Sequence, residues 1–365
     1  MNGLRLFCWL MLLSVLLLGC NGPAADTPSI LFLRPPDDDG AAQLFAQPLG
    51  GEARQLTGVD DPSAPEVIDY APSPDGERIV YATQAGSDTA LRLVEPDGGG
   101  DRRLLDCPAA ECAAPVWSPD GTRLLVERRQ LDGGLPGPPR LVWLDPDTGA
   151  TQPLITGDPP AHGARFSPGG DWLSYVSPGD AGVVLYRLAD GAQRLLPSRA
   201  GAPAAWSPDG AAVVYGDLVP AAHAADEAGA PPLETAGVYL YRTLLAEEGS
   251  RQRLSPEAAV SDSAAAFAPD GQWLAFSRAP AETNAARQLW LMRPDGSEAR
   301  ALTAEATVSH GPPRWSADGR TLLYQRLDTS PETASTPRLS IWQLDVATGA
   351  ATLVVEDGYL PLWFP

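Results

Sequence analysis

Ser73-Pro74-Asp75-Gly76, Ser118-Pro119-Asp120-Gly121, Ser167-Pro168-Gly169-Gly170, Ser207-Pro208-Asp209-Gly210, Ala268-Pro269-Asp270-Gly271 and Ser316-Ala317-Asp318-Gly319 are six versions of one tetrapeptide. Pro presets φ at the first central position of a turn, Asp tolerates the next, and Gly takes the left-handed conformation that closes it. Apolar runs flank every copy, so each reads as a tight hairpin between two antiparallel strands. The copies recur 45, 49, 40, 61 and 48 residues apart. That is the period of a propeller blade rather than of a helical solenoid.

The flanks carry the pattern outward. One residue before the turn stand Trp117, Phe166, Trp206, Phe267 and Trp315; the first copy has Pro72 there and Tyr70 two positions earlier. Six residues after the Asp position come Tyr81, Val126, Tyr175, Tyr215, Phe276 and Tyr324, within β-rich runs such as Arg78-Ile79-Val80-Tyr81. A third run follows, as in Leu141-Val142-Trp143-Leu144, and closes on a second turn such as Asp147-Thr148-Gly149. A fourth short run, for example Arg300-Ala301-Leu302-Thr303, ends each unit. Four moderately apolar strands per unit suit antiparallel sheets stacked face to face around an axis. Residues 30–57 supply strands two to four of a unit that lacks its first, and Leu360-Pro361-Leu362-Trp363-Phe364-Pro365 reads as a first strand alone. The two ends therefore read as halves of one composite blade that closes the ring and leaves no open edge. The expectation is an all-β, seven-bladed propeller over residues 29–365.

With those turns and strands in place, the repeats resemble those of the TolB-like, WD-repeat-like (PD40) propellers. The resemblance covers nearly the whole chain beyond residue 28. It implies the fold and little about function, since the motif builds hairpins and not a site. TolB itself carries an additional N-terminal domain and six blades, so its periplasmic role is not carried over.

Residues 1–19 place Arg5 before an apolar stretch from Leu6 to Leu18, too short for a comfortable span, and read as a signal peptide. The stretch ends in Leu17-Leu18-Gly19-Cys20, which resembles the bacterial lipobox. The resemblance implies cleavage before Cys20 and a diacylglycerol on its thiol; a plain secretory signal is the alternative. Residues 20–28 then form the lipidated Cys and a short flexible tether. Cys8 lies in the signal, which leaves Cys107 and Cys112. Flanking a short loop in an oxidising compartment, they are expected to form a disulfide. A metal pair is the minor reading, because no further Cys completes a tetrahedral site.

The formal charge is −20 for the whole chain and −21 once Arg5 leaves with the signal. That balance argues against nucleic acid and against adhesion to anionic lipid, leaving the membrane to be reached through the anchor alone. The charge reads first as a solvated surface and second as a face for cations or a basic partner.

Loop length points to a binding face. The turns after first and third strands are uniformly tight, whereas the opposite rim holds all the elaboration: 58–67, 132–139, 217–237, 279–286, 304–313 and 328–337. Long loops on one rim of a rigid scaffold are where binding usually resides. His162, His223 and His310 fall there, with Asp132, Asp217 and Asp328 at loop ends. Some TolB-like propellers are metal-dependent polysaccharide lyases with several His at the channel mouth, which makes a divalent metal the one cofactor to weigh. Against it, the histidines match no such motif: His162 and His310 read as turn residues supporting a strand entry, and His223 sits in the longest insertion. Asp37-Asp38-Asp39-Gly40 offers clustered carboxylates without calcium-loop spacing and reads as a solvated turn. No Gly-x-Ser-x-Gly elbow, phosphate-binding Gly-rich loop or His-Glu-x-x-His occurs. The expectation is a non-enzymatic, lipid-anchored envelope module, monomeric or within a complex, that binds a protein, peptide or glycan. A metal-dependent hydrolase or lyase is the alternative, and metal content separates the two.

Overall fold

The computed structural model describes residues 28–35, 40–61, 63–219, 237–255, 259–281, 285–330 and 338–364. Among them every regular element is a β-strand, and the strands form a β-propeller. The signal peptide, Cys20, the Asp37–Asp39 cluster and His223 lie outside the described residues.

Each tetrapeptide builds the hairpin its chemistry dictates. Gly76 donates its N–H to the Ser73 carbonyl at 2.9 Å, and Ser73 N–H bonds the Arg78 carbonyl at 2.7 Å. The Ser73 hydroxyl donates to the Asp75 carboxylate at 2.5 Å and accepts the Arg78 N–H at 3.0 Å. Ser118 with Asp120, Ser207 with Asp209 and Ser316 with Asp318 repeat the serine-to-aspartate bond. These bonds hold the turn carboxyls of Asp75, Asp120, Asp209 and Asp318 below the usual aspartate range.

The aromatic position before the turn joins neighbouring blades. Trp117 Nε1 donates to the Ala71 carbonyl at 3.0 Å, Trp206 to Arg165 at 3.1 Å, Trp315 to Ala266 at 3.0 Å and Trp363 to Arg314 at 3.0 Å. Every acceptor stands one residue before the corresponding position of the preceding unit. Where Pro72 fills the slot, the Tyr70 hydroxyl bonds the carbonyls of Leu31 and Leu360 instead. An indole N–H buried between sheets needs a partner, and the neighbour's innermost strand supplies it.

The strands assemble into six sheets among the described residues. Tyr359–Phe364 pairs antiparallel with Ser29–Arg34, bringing Trp363 opposite Ile30 and Leu362 opposite Leu31. That sheet continues through Gln43–Pro48 to Arg54–Gln55, so the chain's two ends share one sheet as the sequence predicts. Hydrophobic layers lie between adjacent sheets rather than at one centre. Ile30, Phe32 and Phe45 pack on Leu323, Ile341 and Val355 across the closing seam. Val80, Leu91 and Leu93 pack on Trp117, Leu124 and Val126 across another. The pairing does not by itself return seven units, because one sheet holds eight strands. A single parallel pairing, Val238 with Ser261, joins its two halves.

Cys107 and Cys112 are disulfide-bonded, with Cα atoms 6.2 Å apart. The bond ties the strand Arg102–Cys107, outermost in its sheet, to Ala110–Trp117 in the next. Thr89 braces the crossing: its hydroxyl accepts the Cys112 N–H at 2.8 Å and donates to the Ala110 carbonyl at 3.0 Å. Closing so short a loop restricts the unfolded chain by about 2 kcal/mol. The double variant Cys107→Ser, Cys112→Ser is therefore expected to melt several degrees lower while keeping its far-ultraviolet spectrum, a shift that thermal denaturation measures.

Candidate functional site

The predicted face residues that the structure describes stand on several separate strands. His162 opens the strand His162–Phe166, half-buried and opposite Val176. His310 is only 1% exposed. Its Nδ1 lies 3.1 Å from the Arg287 carbonyl and its Nε2 lies 3.4 Å from Glu305, which also pairs with Arg326. Its ring packs on Tyr324, and burial pushes its pKa down, so it acts as a neutral clasp between strands. Asp217 is buried as well: one oxygen accepts the Arg199 N–H at 2.8 Å, and the other pairs with Arg251 at 2.6 Å. These two bonds give Asp217 a structural role at its loop end. Asp132 is exposed in the hairpin to Leu135, and Asp328 caps its own loop through the Ser330 N–H. Among the described residues no three His, Cys, Asp or Glu side chains are placed to hold a metal.

A different constellation lies on the axis. The strands Glu66–Pro72, Ala110–Trp117, His162–Phe166, Arg314–Trp315 and Tyr359–Phe364 are each the inner edge of a different sheet. Edges of five sheets converge only at the centre of a ring. They enclose a cavity of about 250 Å³ lined by Asp69, Arg165, Arg314, Gln325 and an apolar wall that includes Val116 and Leu362.

A recurring irregularity shapes this bore. Ala114, Gly163, Ala264 and Leu360 all take positive φ, each three residues before its aromatic position, and the strand pairing slips beside each. Such bulges bend a strand and re-aim the side chains that follow. The equivalent bulges tolerate Ala or Leu at positive φ, but at residue 163 a Cβ would also stand 2.8 Å from Pro203, which favours glycine there. Asp69 holds one bulge in place. Its two oxygens accept the N–H groups of Tyr70 at 2.8 Å and of Ala114 at 3.0 Å. Glu127 does the same for Gly163, accepting its N–H at 2.7 Å.

The arginines are left over. Arg165 makes one side-chain bond, to the Ala164 carbonyl at 2.7 Å. Among the described residues neither Arg165 nor Arg314 has a carboxylate within ion-pair distance. Both are exposed to the bore, yet protein surrounds the small volume of solvent they reach. Desolvation lowers the pKa of each, and the charge of Arg314 lowers that of Arg165 further. Burial likewise raises the Asp69 carboxyl above its ordinary value, against the pull of its two backbone N–H bonds.

Neither arginine was singled out from sequence, although a signal existed. The position before the aromatic slot reads Ala71, Val116, Arg165, Ala205, Ala266, Arg314 and Leu362 through the repeats. Two cations among small and apolar residues mark the places where the repeat departs from what the hairpin needs.

No protein-family model matches the chain. Over 196 residues it is 25% identical to the uncharacterized peptidase YuxL of Bacillus subtilis, a match spanning 47% of this chain and 30% of that protein. The chain thus spans less than a third of that relative's length. Among solved structures, TolB from Acinetobacter baumannii superposes with a TM-score of 0.56 at 14% identity, covering 94% of this chain and 68% of TolB. A prolyl endopeptidase superposes at 0.63 and 17% identity, covering 92% of this chain and 50% of the enzyme. At these identities the likeness establishes the TolB-like propeller fold and nothing finer.

Proposed function

We propose that this chain is a lipid-anchored binding module of the bacterial cell envelope, built as a seven-bladed propeller that takes a protein partner on its long-loop rim. The count of seven treats the eight-stranded sheet as two four-stranded blades, since Val238 and Ser261 alone bridge them. The observation that carries the binding role is the axial cavity. Two guanidiniums stand there without carboxylate partners among the described residues, beside hairpins and blade seams that close on their own turn and indole bonds. Unpaired charge in a concavity is costly to maintain for structure alone. The fold neighbours include TolB as well as a peptidase, and no nucleophile elbow in this sequence favours the second. Anchoring would come from the lipobox at Cys20, and the acidic balance would keep the domain off anionic lipid.

Crosslinking and affinity capture of the tagged protein from its native envelope tests the role. The expected result is one reproducible protein partner, lost when residues 220–236 are deleted. Recovery of the bait without any partner would overturn it. The Cys20→Ala protein is expected to move from the membrane fraction to the soluble one; a variant that stays membrane-bound would remove the anchor from the proposal.

A further inference from the structure

We infer that the axial cavity is a binding site for a single carboxylate carried on a small apolar body, held by Arg165 and Arg314. The inference rests on the binding role proposed above and gives that role a ligand class. Charge comes first. The lining carries two guanidiniums against one carboxylate, Asp69, and both Asp69 oxygens already accept backbone N–H groups. Glu127, the other carboxylate acting on Arg165, is likewise engaged by the Gly163 N–H. The guanidiniums therefore keep donors free that the protein's own carboxylates do not take up. Like charges held together in a poorly hydrated bore favour an anion between them, and guanidinium forks match the two oxygens of a carboxylate. Set against Asp69, the two guanidiniums leave one positive charge uncompensated, which a monoanion balances and a dianion such as phosphate exceeds.

Shape supplies the rest. Val116, Leu362 and the prolines 115, 312 and 361 give the cavity an apolar wall opposite its charges. At roughly 30 Å³ per water-sized group, its volume of about 250 Å³ admits a ligand of about eight non-hydrogen atoms. A short-chain organic acid meets that size, and so does the terminal residue of a chain that presents its carboxylate end-on.

The test is available without disturbing the fold. The Trp206 and Trp363 indoles bond the carbonyls of Arg165 and Arg314, so replacing only the side chains leaves the inter-blade bonds in place. Calorimetric titration of the intact mature protein would use hexanoate for the free acid, N-acetylalanine for a chain end, and hexanol as the uncharged control. Saturable binding of hexanoate or N-acetylalanine, but not of hexanol, is expected. Arg165→Gln and Arg314→Gln should each weaken it at least tenfold, with unchanged melting temperature. Preference between the two acids tells a free metabolite from a chain end. Equal binding of hexanol, or unchanged affinity in the Arg165→Gln, Arg314→Gln double variant, would overturn the inference, as would no saturation by either acid at 10 mM.

The two readings fail separately. If the acids do not bind while envelope capture still yields a partner, the ligand class is wrong and the binding module stands. If the acids bind and no partner is captured, the cavity is a small-molecule site and the protein-binding role falls.

Discussion

Removing the strand Tyr359–Phe364 is expected to leave a protein that aggregates, or that melts roughly 5 °C below the full chain. The strand covers one of the two flanks of Ser29–Arg34 in the closing sheet. It contributes half-buried Leu362, Trp363 and Phe364 to the closing seam, worth together at least about 3 kcal/mol of burial. It also supplies the Trp363 indole bond to Arg314 and the Leu360 carbonyl that Tyr70 uses. Without it, Ile30, Leu31, Phe32 and Leu33, all fully buried, become an open apolar edge. For a chain of this size a few kcal/mol corresponds to the stated shift, and the bare edge adds aggregation. Light scattering and thermal denaturation check it. A monodisperse truncated protein with full-length melting would mean that the ring does not depend on this closure.

The second large effect concerns a pair that plays no part in the axial site. Arg278 lies against both Phe276 and Trp290, its guanidinium carbon 4.9 and 4.6 Å from the ring centroids. Its Nε and one terminal nitrogen bond the two oxygens of Asp262 at 2.6 and 2.7 Å. The Ser255 hydroxyl donates to the same carboxylate at 2.6 Å, and the Asp262 side chain has no exposed surface. Asp262→Ala would strand a buried cation against two aromatic rings, away from water. The expected cost is about 3–5 kcal/mol, because the guanidinium keeps its desolvation penalty and loses its counter-charge. Replacing both partners, as in Asp262→Leu with Arg278→Met, should recover most of that loss, since apolar residues of similar volume need no counter-charge. Chemical denaturation of the two variants beside the parent decides it. A single variant as stable as the parent would show that the guanidinium finds water or another partner.

Most of the architecture was legible along the chain because its causes are local. A Ser-Pro-Asp-Gly turn needs only its own residues to close, and Ser73, Asp75, Gly76 and Arg78 satisfy one another within six positions. The periodic aromatic was visible too, although its purpose was not. That Trp117 reaches back to Ala71, or Trp363 to Arg314, is a relation between repeats that appears once the sheets stack. The candidate site was less legible. Loop length drew attention to His310 and Asp217, and both are spent on holding strands together. A polar residue at a loop end looks the same in sequence whether it faces solvent or folds back onto a neighbouring backbone.

By itself the sequence determined the hairpins, the all-β repeat and the joining of the chain's two ends in one sheet. Each follows from short-range turn chemistry or from a strand that lacks its partner. It also marked Cys107 and Cys112 as a pair, because they are the two cysteines left once Cys8 and Cys20 are read as signal and lipid site. Only the tertiary structure decided which charged groups meet. Asp69, Arg165 and Arg314 lie far apart along the chain and come together because each sits on the inner edge of its own sheet, and a ring brings every inner edge to one axis. Their electrostatics follow from that enclosure: a guanidinium unremarkable on an open strand is desolvated and repelled by another across the bore.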